Sequence, residues 1–267
     1  MHPKDHFSSV SGNYAEFRPR YPEALYRWLV AHAPGRRSVW DCACGSGQAS
    51  IDLAESFAQV TATDLSAQQL REAPAHARIE YRVALAEDSQ LPAASQDLVT
   101  AAQALHWFDC ERFYAEVRRV LRPNGLLAVW SYSVCTLEVA AADALLQEFY
   151  AHTVGPYWPP ERHHVESGYQ SLPFPQPELA APEFAMTLRW TLDQLVGYLG
   201  SWSATSRYIK ARGLDPLPAL RSQLQMHWQS ADGRLGIMWP LKVRAVVLNR
   251  PTESVRAPGL YNPDRPA

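Results

Sequence analysis

The stretch VWDCACGSGQAS, residues 39–50, followed by VTATDLS, residues 60–66, decides how the rest of this chain is read. An apolar run ends in an acid, Asp41, and breaks into a glycine-rich turn. A helix-compatible segment follows, then a second short apolar run that also ends in an acid, Asp64. That is the order of a β-strand, a ligand-binding turn, an α-helix and a second β-strand. In the turn, Ala43-Cys44-Gly45-Ser46-Gly47, glycine lets a ligand approach the backbone because it carries no Cβ. Asp64, ending the second strand, is placed to accept hydrogen bonds from the two hydroxyls of a ribose. The spacing points to an adenosine-containing cofactor.

A dinucleotide site would want GxGxxG, with a pyrophosphate at the helix N-terminus. Here AxGxG is followed by Gln48, and the third glycine is missing. A phosphate-cradling loop would want a Lys after its last glycine, and none follows Gly47. A tight turn without a ligand is the plain structural reading. The motif resembles the first motif of class I S-adenosylmethionine-dependent methyltransferases, [DE]xGxGxG. The resemblance implies S-adenosyl-L-methionine as cofactor, with Asp41 near its amino-acid part and the turn passing beneath it. Position 43 departs from that pattern, holding Ala where the family usually has Gly. One extra methyl group is tolerable there if φ is negative.

Short apolar runs continue at 79–83, 97–102 and 126–131, with helical patterns at 66–73 and 110–121 between them. The second helix runs into Arg122-Pro123-Asn124-Gly125, a stop signal before the next strand. Such alternation specifies a parallel sheet with helices on both faces. "RVLRPNGLLAVW" resembles the segment before the fifth strand of the same superfamily. The fold expected is α/β and Rossmann-like: a mostly parallel seven-stranded sheet, with a helical and irregular cap over its C-terminal edge. Ala86-Glu87, in ALAEDSQLP, matches the loop that encloses the adenine in the family. The resemblance extends the cofactor contacts to Ala43, Gly45, Gly47, Gln48, Leu65, Gln103 and Trp107.

Three further places carry a narrower likeness. YxxFRPxYP spans Tyr14 to Pro22, QALHWFD spans Gln103 to Asp109, and YWPPER from Tyr157 with SWSATSRY from Ser201 lie in the second half. Together they resemble the small-molecule methyltransferases (methyltransferase type 11) related to trans-aconitate methyltransferase, over roughly residues 7–250. In that subgroup the N-terminal segment resembles a flap closing over the cofactor. Tyr14 would touch the cofactor, and Arg18 would pair with its methionine carboxylate in the bidentate geometry that suits Arg.

The chain has 267 residues, enough for one large domain with an elaborated cap, and a net charge of −2 with pI near 6.5. Nothing in it supplies the basic field that nucleic acid requires. No apolar stretch approaches membrane-spanning length, and MHPKDHFSS lacks the apolar core of a signal peptide. A soluble, cytoplasmic monomer or homodimer is expected. Cys42, Cys44, Cys110 and Cys135 have no metal-ligand spacing and read as reduced structural thiols. His163-His164, taken as extended, would point to opposite faces.

The expected organisation is a flap and first helix at 1–36, a cofactor core at 37–135, a substrate cap with closing strands at 136–250, and a loose tail at 251–267. Gly155 to Pro182 reads as irregular, 192–201 and 218–230 as helices. Segments 184–191 and 241–248 read as an antiparallel strand pair. The cap composition suits a small, partly apolar acceptor bearing an anion. Tyr21, Tyr157, Trp158, Arg162, Trp202 and Arg207 are the candidate acceptor contacts, with Arg162 and Arg207 set for a carboxylate.

Methyl transfer from a sulfonium is an in-line displacement that asks for positioning and exclusion of water. A base is needed only when the nucleophile carries a proton. His106, just past the fourth strand, either orients the acceptor, takes its proton, or holds its own loop. The leading expectation is O-methylation of a small carboxylate or hydroxyl. The alternatives are N- or C-methylation of a natural-product intermediate, or a non-catalytic cofactor-binding protein.

Overall fold

The protein is described from residue 19 to residue 248 in a computed structural model; Tyr14, Arg18 and the expected tail at 251–267 lie outside the described residues. After α1 (Glu23–His32) the chain alternates strand and helix: β1 (Ser38–Cys42), α2 (Gln48–Ala54), β2 (Gln59–Asp64), α3 (Ala67–Glu72) and β3 (Ile79–Val83). Then come β4 (Gln96–Ala102), α4 (Cys110–Val120) and β5 (Leu121–Tyr132). These five strands are parallel, in the order β3-β2-β1-β4-β5. The order reverses between β1 and β4, and a crevice at such a switch point is where ligands sit in open α/β sheets.

The polypeptide continues through β6 (Thr136–Leu137), α5 (Ala140–Glu148), a π-helical turn (Phe149–Thr153) and α6 (Arg162–Glu166). It then forms β7 (Phe184–Thr191), α7 (Leu192–Gly200), α8 (Ser203–Arg212), α9 (Leu217–Gln225) and β8 (Arg234–Leu248). β8 runs antiparallel to β5 with one half and to β7 with the other. The expected antiparallel closure is present, and β8 is twice as long as expected. The sheet has eight strands instead of seven because the two-residue β6 pairs with Ile237 and Met238 of β8.

Burial on both faces explains the continuous apolar runs of the central strands. Val39 and Trp40, neighbours in β1, enter opposite cores, as do Leu98 and Val99 in β4 and Leu126 and Leu127 in β5. Helix starts follow local chemistry. Ser66 accepts from Gln69 N at 3.3 Å to cap α3, Asp109 accepts from Arg112 N at 3.2 Å to cap α4, and Thr191 with Gln194 forms a capping box on α7.

Two expectations need correction. His163 and His164 are not extended: they lie on α6 with ring centroids 3.7 Å apart, so 155–182 is only partly irregular. The cap also gains α8, which the sequence hides because it is polar, with Ala204 and Thr205 its buried residues. No helix among the described residues is long and apolar enough to cross a membrane.

At the N-terminal end of the sheet, Asp97 is 2% exposed and joins three segments. It accepts from Arg37 N at 2.7 Å, Ser38 N at 3.1 Å and Arg122 Nη1 at 2.7 Å. Removing one partner of a buried pair strands the other's charge. Asp97→Ala is therefore expected to cost about 3–5 kcal/mol of folding stability, read from the urea unfolding midpoint; a loss within about 0.5 kcal/mol, the range of ordinary surface substitutions, would contradict this account.

Candidate functional site

A cavity of about 650 Å³ opens where β1, β2, β4 and β5 end beneath the α7–α8 connection and α6. Its floor is the glycine turn. Ala43, Gly45 and Gly47 all have left-handed backbone, with φ of 53°, 56° and 80°. Sequence reasoning required negative φ for Ala43, and the structure overturns that: an L-residue sits where glycine is favoured. The turn is held from three sides. Cys44 N donates to Thr63 O at 2.9 Å, Gly47 N to Cys44 O at 3.0 Å, and Gly45 N to Asp64 Oδ2 at 2.8 Å. The other Asp64 oxygen accepts from Ser66 N at 2.8 Å.

Asp41 is fully buried. It accepts from Ser50 Oγ at 2.6 Å and Thr100 Oγ1 at 2.9 Å. Burial pushes its carboxyl up to about 6, against the two hydroxyl donors that hold it down. Burial likewise holds the Cys42 and Cys44 thiols well above their ordinary value. Neither is a thiolate nucleophile at neutral pH.

Most of the residues singled out from sequence line this one cavity. Asp41, Ala43, Gly45, Gly47, Gln48, Asp64, Leu65, Ala86, Gln103, His106 and Trp107 do so, as do Tyr21, Trp158, Arg162 and Trp202. Gln48 Nε2 donates to Pro19 O, tying the N-terminal segment to α2. Gln103, with φ 57°, extends the β4–β5 pairing past the strand end: its N donates to Trp130 O at 2.9 Å and its Nε2 to Tyr132 O at 2.8 Å.

Three residues stand apart. Glu87 does not line the cavity; it accepts from Asp109 N at 2.9 Å, drawn to the amide at the start of α4. Tyr157 packs edge-on against Tyr208 at 5.1 Å, and exposed Arg207 donates to Tyr157 O at 3.5 Å. Neither is among the residues that line the cavity. Conversely, Tyr132 and Ser133 were missed. The expected fifth strand stopped at Ser131, while the real one runs to Tyr132 and delivers both residues to the ligand edge.

Arg162, on α6, forms the polar centre of the cap side. Its Nε donates to Tyr150 Oη at 2.9 Å, its Nη2 to Ser133 Oγ at 3.4 Å, and its guanidinium lies 4.5 Å from the Trp158 ring. Its Nη1 makes no hydrogen bond among the described residues. Trp158, Trp202 and Tyr198 form the aromatic wall, with successive centroids 5.5 and 5.6 Å apart. His106 lies between Trp107 and Tyr169, whose ring stacks at 5.9 Å. Burial, then the charge of Arg162 and His164, lowers its pKa to about 3.

Residues 40–129 match a family of methyltransferase domains. Over 240 residues the chain is 35% identical to an inferred methyltransferase of Dictyostelium discoideum, covering 86% of this chain and 88% of that protein. It is 47% identical to an inferred type II methyltransferase from Anaeromyxobacter dehalogenans of known structure, with TM-score 0.83 over 88% of this chain and 100% of that one. The malonyl-[acyl-carrier protein] O-methyltransferase of Enterobacter lignolyticus is 39% identical over 104 residues, 38% of this chain and 41% of its own.

Two measurements probe the site directly. Ala43→Gly removes the left-handed penalty of an L-residue and is expected to stabilise the fold by about 1 kcal/mol, after the entropy of the added glycine. Urea unfolding reads this, and a destabilised variant would show that the turn carries no strain at 43. His106 has a lowered folded-state pKa, so the unfolded chain binds the extra proton between pH 6.5 and about 3. Its contribution is present above 6.5 and lost as pH falls through that window. His106→Gln is expected to lose less stability than the parent protein between pH 6.5 and 4, in unfolding curves taken across that range.

Proposed function

This chain belongs to the class I S-adenosylmethionine-dependent methyltransferases, and we propose that it methylates a carboxylate oxygen of a small, partly apolar acid. Arg162 carries this reading. It is a guanidinium held against an indole face on a side chain that lines the cavity, and its Nη1 makes no hydrogen bond among the described residues. Such a group suits a planar anion. The malonyl-directed relative is itself named for O-methyl transfer.

The residues present fit the cofactor. The cavity is of ligand size, Leu65 exposes 47% of an apolar side chain toward it, and Ala86 offers a second apolar flank. In our reading these two flank the purine. A carboxylate accepts at about four positions, so Asp64 receives the ribose hydroxyls while holding Gly45 and Ser66. The left-handed turn from 43 to 47 brings backbone close to the ligand, and Gln48, Gln103 and Trp107 complete that half.

When bound, S-adenosylmethionine supplies a methyl group already activated by the positive sulfur. The chain's own residues then have to align the acceptor and keep water out. Arg162 binds the acceptor carboxylate, Trp158 and Trp202 bury its apolar part, and Tyr21 closes the side nearest the turn. In this reading residues 136–250 provide the acceptor half of the site. His106, a very weak proton acceptor at a pKa of about 3, orients the acceptor and does not deprotonate it. That property disfavours acceptors that must lose a proton, the phenols and amines. A carboxylate arrives deprotonated.

Methyl transfer to a panel of small acids, phenols and amines tests this reading, with turnover expected on acids. Arg162→Met should then lower kcat/KM for the acid about tenfold to a hundredfold, the worth of a hydrogen bond to a charged group. S-adenosylmethionine affinity, measured by calorimetry, should change less than about twofold on the same accounting. Turnover confined to amines or phenols would refute the carboxylate assignment.

A further inference from the structure

We propose that Tyr169 is a positioning residue: its hydroxyl donates to His106 Nδ1 and so fixes the imidazole with its single proton on Nε2, facing the acceptor. The inference deepens the carboxylate reading and rests on it for its chemical meaning. A fixed Nε2–H is a donor for an anionic oxygen and offers no lone pair to take a proton from it.

The geometry starts from the hydroxyl. Tyr169 is 0% exposed, and its Oη lies 3.3 Å from His106 Nδ1. Among the described residues no other side chain hydrogen bonds to that oxygen. If Nδ1–H donated to the phenol, the phenolic proton would be buried without an acceptor, which costs about 1–3 kcal/mol. With O–H donating to Nδ1, both groups are satisfied. The phenol has to stay protonated for this, and burial holds its pKa far above the ordinary tyrosine value.

The other ring nitrogen has the opposite setting. Nε2 makes no hydrogen bond among the described residues, it is not among the buried unpaired atoms, and the side chain lines the cavity. A proton there points at whatever occupies the acceptor space. Burial foremost, and then the charge of Arg162 and His164, keeps the ring neutral. A neutral ring has one proton to place, so the choice of nitrogen is the whole of its chemistry.

Tyr169 is itself held from behind. Gly168 and Tyr169 both take left-handed backbone, φ 62° and 65°, and a Cβ on Gly168 would come within 2.7 Å of Lys242 Cβ. The Tyr169 carbonyl accepts from Arg244 Nη1, which also donates to Leu172 O at 3.1 Å. The rest of that guanidinium, 6% exposed, is fastened to Glu178 at 2.6 and 3.0 Å and lies 4.5 Å over Phe174. An unfavourable backbone conformation persists where the surroundings over-determine it, and such residues cluster at functional sites. β8, through Arg244, thereby sets the position of a phenol at the far side of the cavity wall.

The decisive experiment needs no substrate. Nitrogen–proton correlation spectra of the histidine-labelled full-length protein at neutral pH, with the His106 signals assigned through His106→Gln, report which nitrogen is protonated. The expected pattern is a protonated Nε2 and a bare Nδ1. A protonated Nδ1 overturns the proposal, whatever the acceptor proves to be. In Tyr169→Phe, which keeps the ring, the His106 pattern should shift toward a mixture of tautomers. With a carboxylic acid acceptor kcat should fall on the order of tenfold, the worth of one hydrogen bond, while S-adenosylmethionine affinity stays within about twofold. A His106 spectrum unchanged in Tyr169→Phe would also overturn the proposal. Failure of every acid in the panel would remove the carboxylate reading and leave the tautomer result standing on its own.

Discussion

One buried carboxylate organises the ligand edge of this protein. Asp41 is the last apolar-flanked position of β1, and it accepts from Ser50 on α2 and Thr100 on β4. Those two bonds fix the angle at which the chain leaves β1, and therefore where the glycine turn lies relative to the neighbouring strand. Without them a carboxylate at zero exposure would carry its full desolvation cost. Its pKa near 6 shows that the two hydroxyls offset that cost only in part.

From that anchor the unfavourable backbone of the site becomes intelligible. Ala43, Gln103 and Tyr169 are non-glycine residues with φ between 53° and 65°, and each borders the ligand space or supports a residue that does. Each is also pinned by bonds from a neighbouring element. The turn holding Ala43 is fastened to β2 through Cys44 and Asp64, Gln103 reaches the end of β5, and Tyr169 is held by Arg244 on β8. Strain of about 1–3 kcal/mol per residue is tolerable when so many partners enforce it.

The two halves of the cavity differ in chemistry. The strand side offers carboxylates and backbone near the glycine turn and, just past β4, an uncharged imidazole; the cap side offers a guanidinium and indole faces. Polar groups of opposite character at the two ends of one cavity favour a ligand pair with complementary ends. This division follows from chain order, because the parallel strands supply the first half and the segments on either side of β7 supply the second.

The sequence by itself determined the parallel core. Apolar runs bounded by Asp41, Asp64 and the Arg122–Gly125 stop are local signals, and a strand buried on both faces announces itself by composition alone. It also determined most of the cavity floor, since a glycine turn between two acids is contiguous in the chain. What it left open depends on contacts between distant residues. The left-handed φ at Ala43 sits in a turn whose next two amides, Cys44 and Gly45, bond to β2 residues 19 positions on. Glu87 is diverted to the Asp109 amide, and Tyr157 and Arg207 are diverted to each other, by partners that no local pattern links to them. The polar helix α8 hides because packing, and not amphipathicity, holds it. His106 is the sharpest case: spacing put it at the site, but its weak basicity and the partner of its Nδ1 come from Arg162, His164 and Tyr169. Burial and neighbouring charge are properties of the folded chain, and they decided what that histidine is able to do.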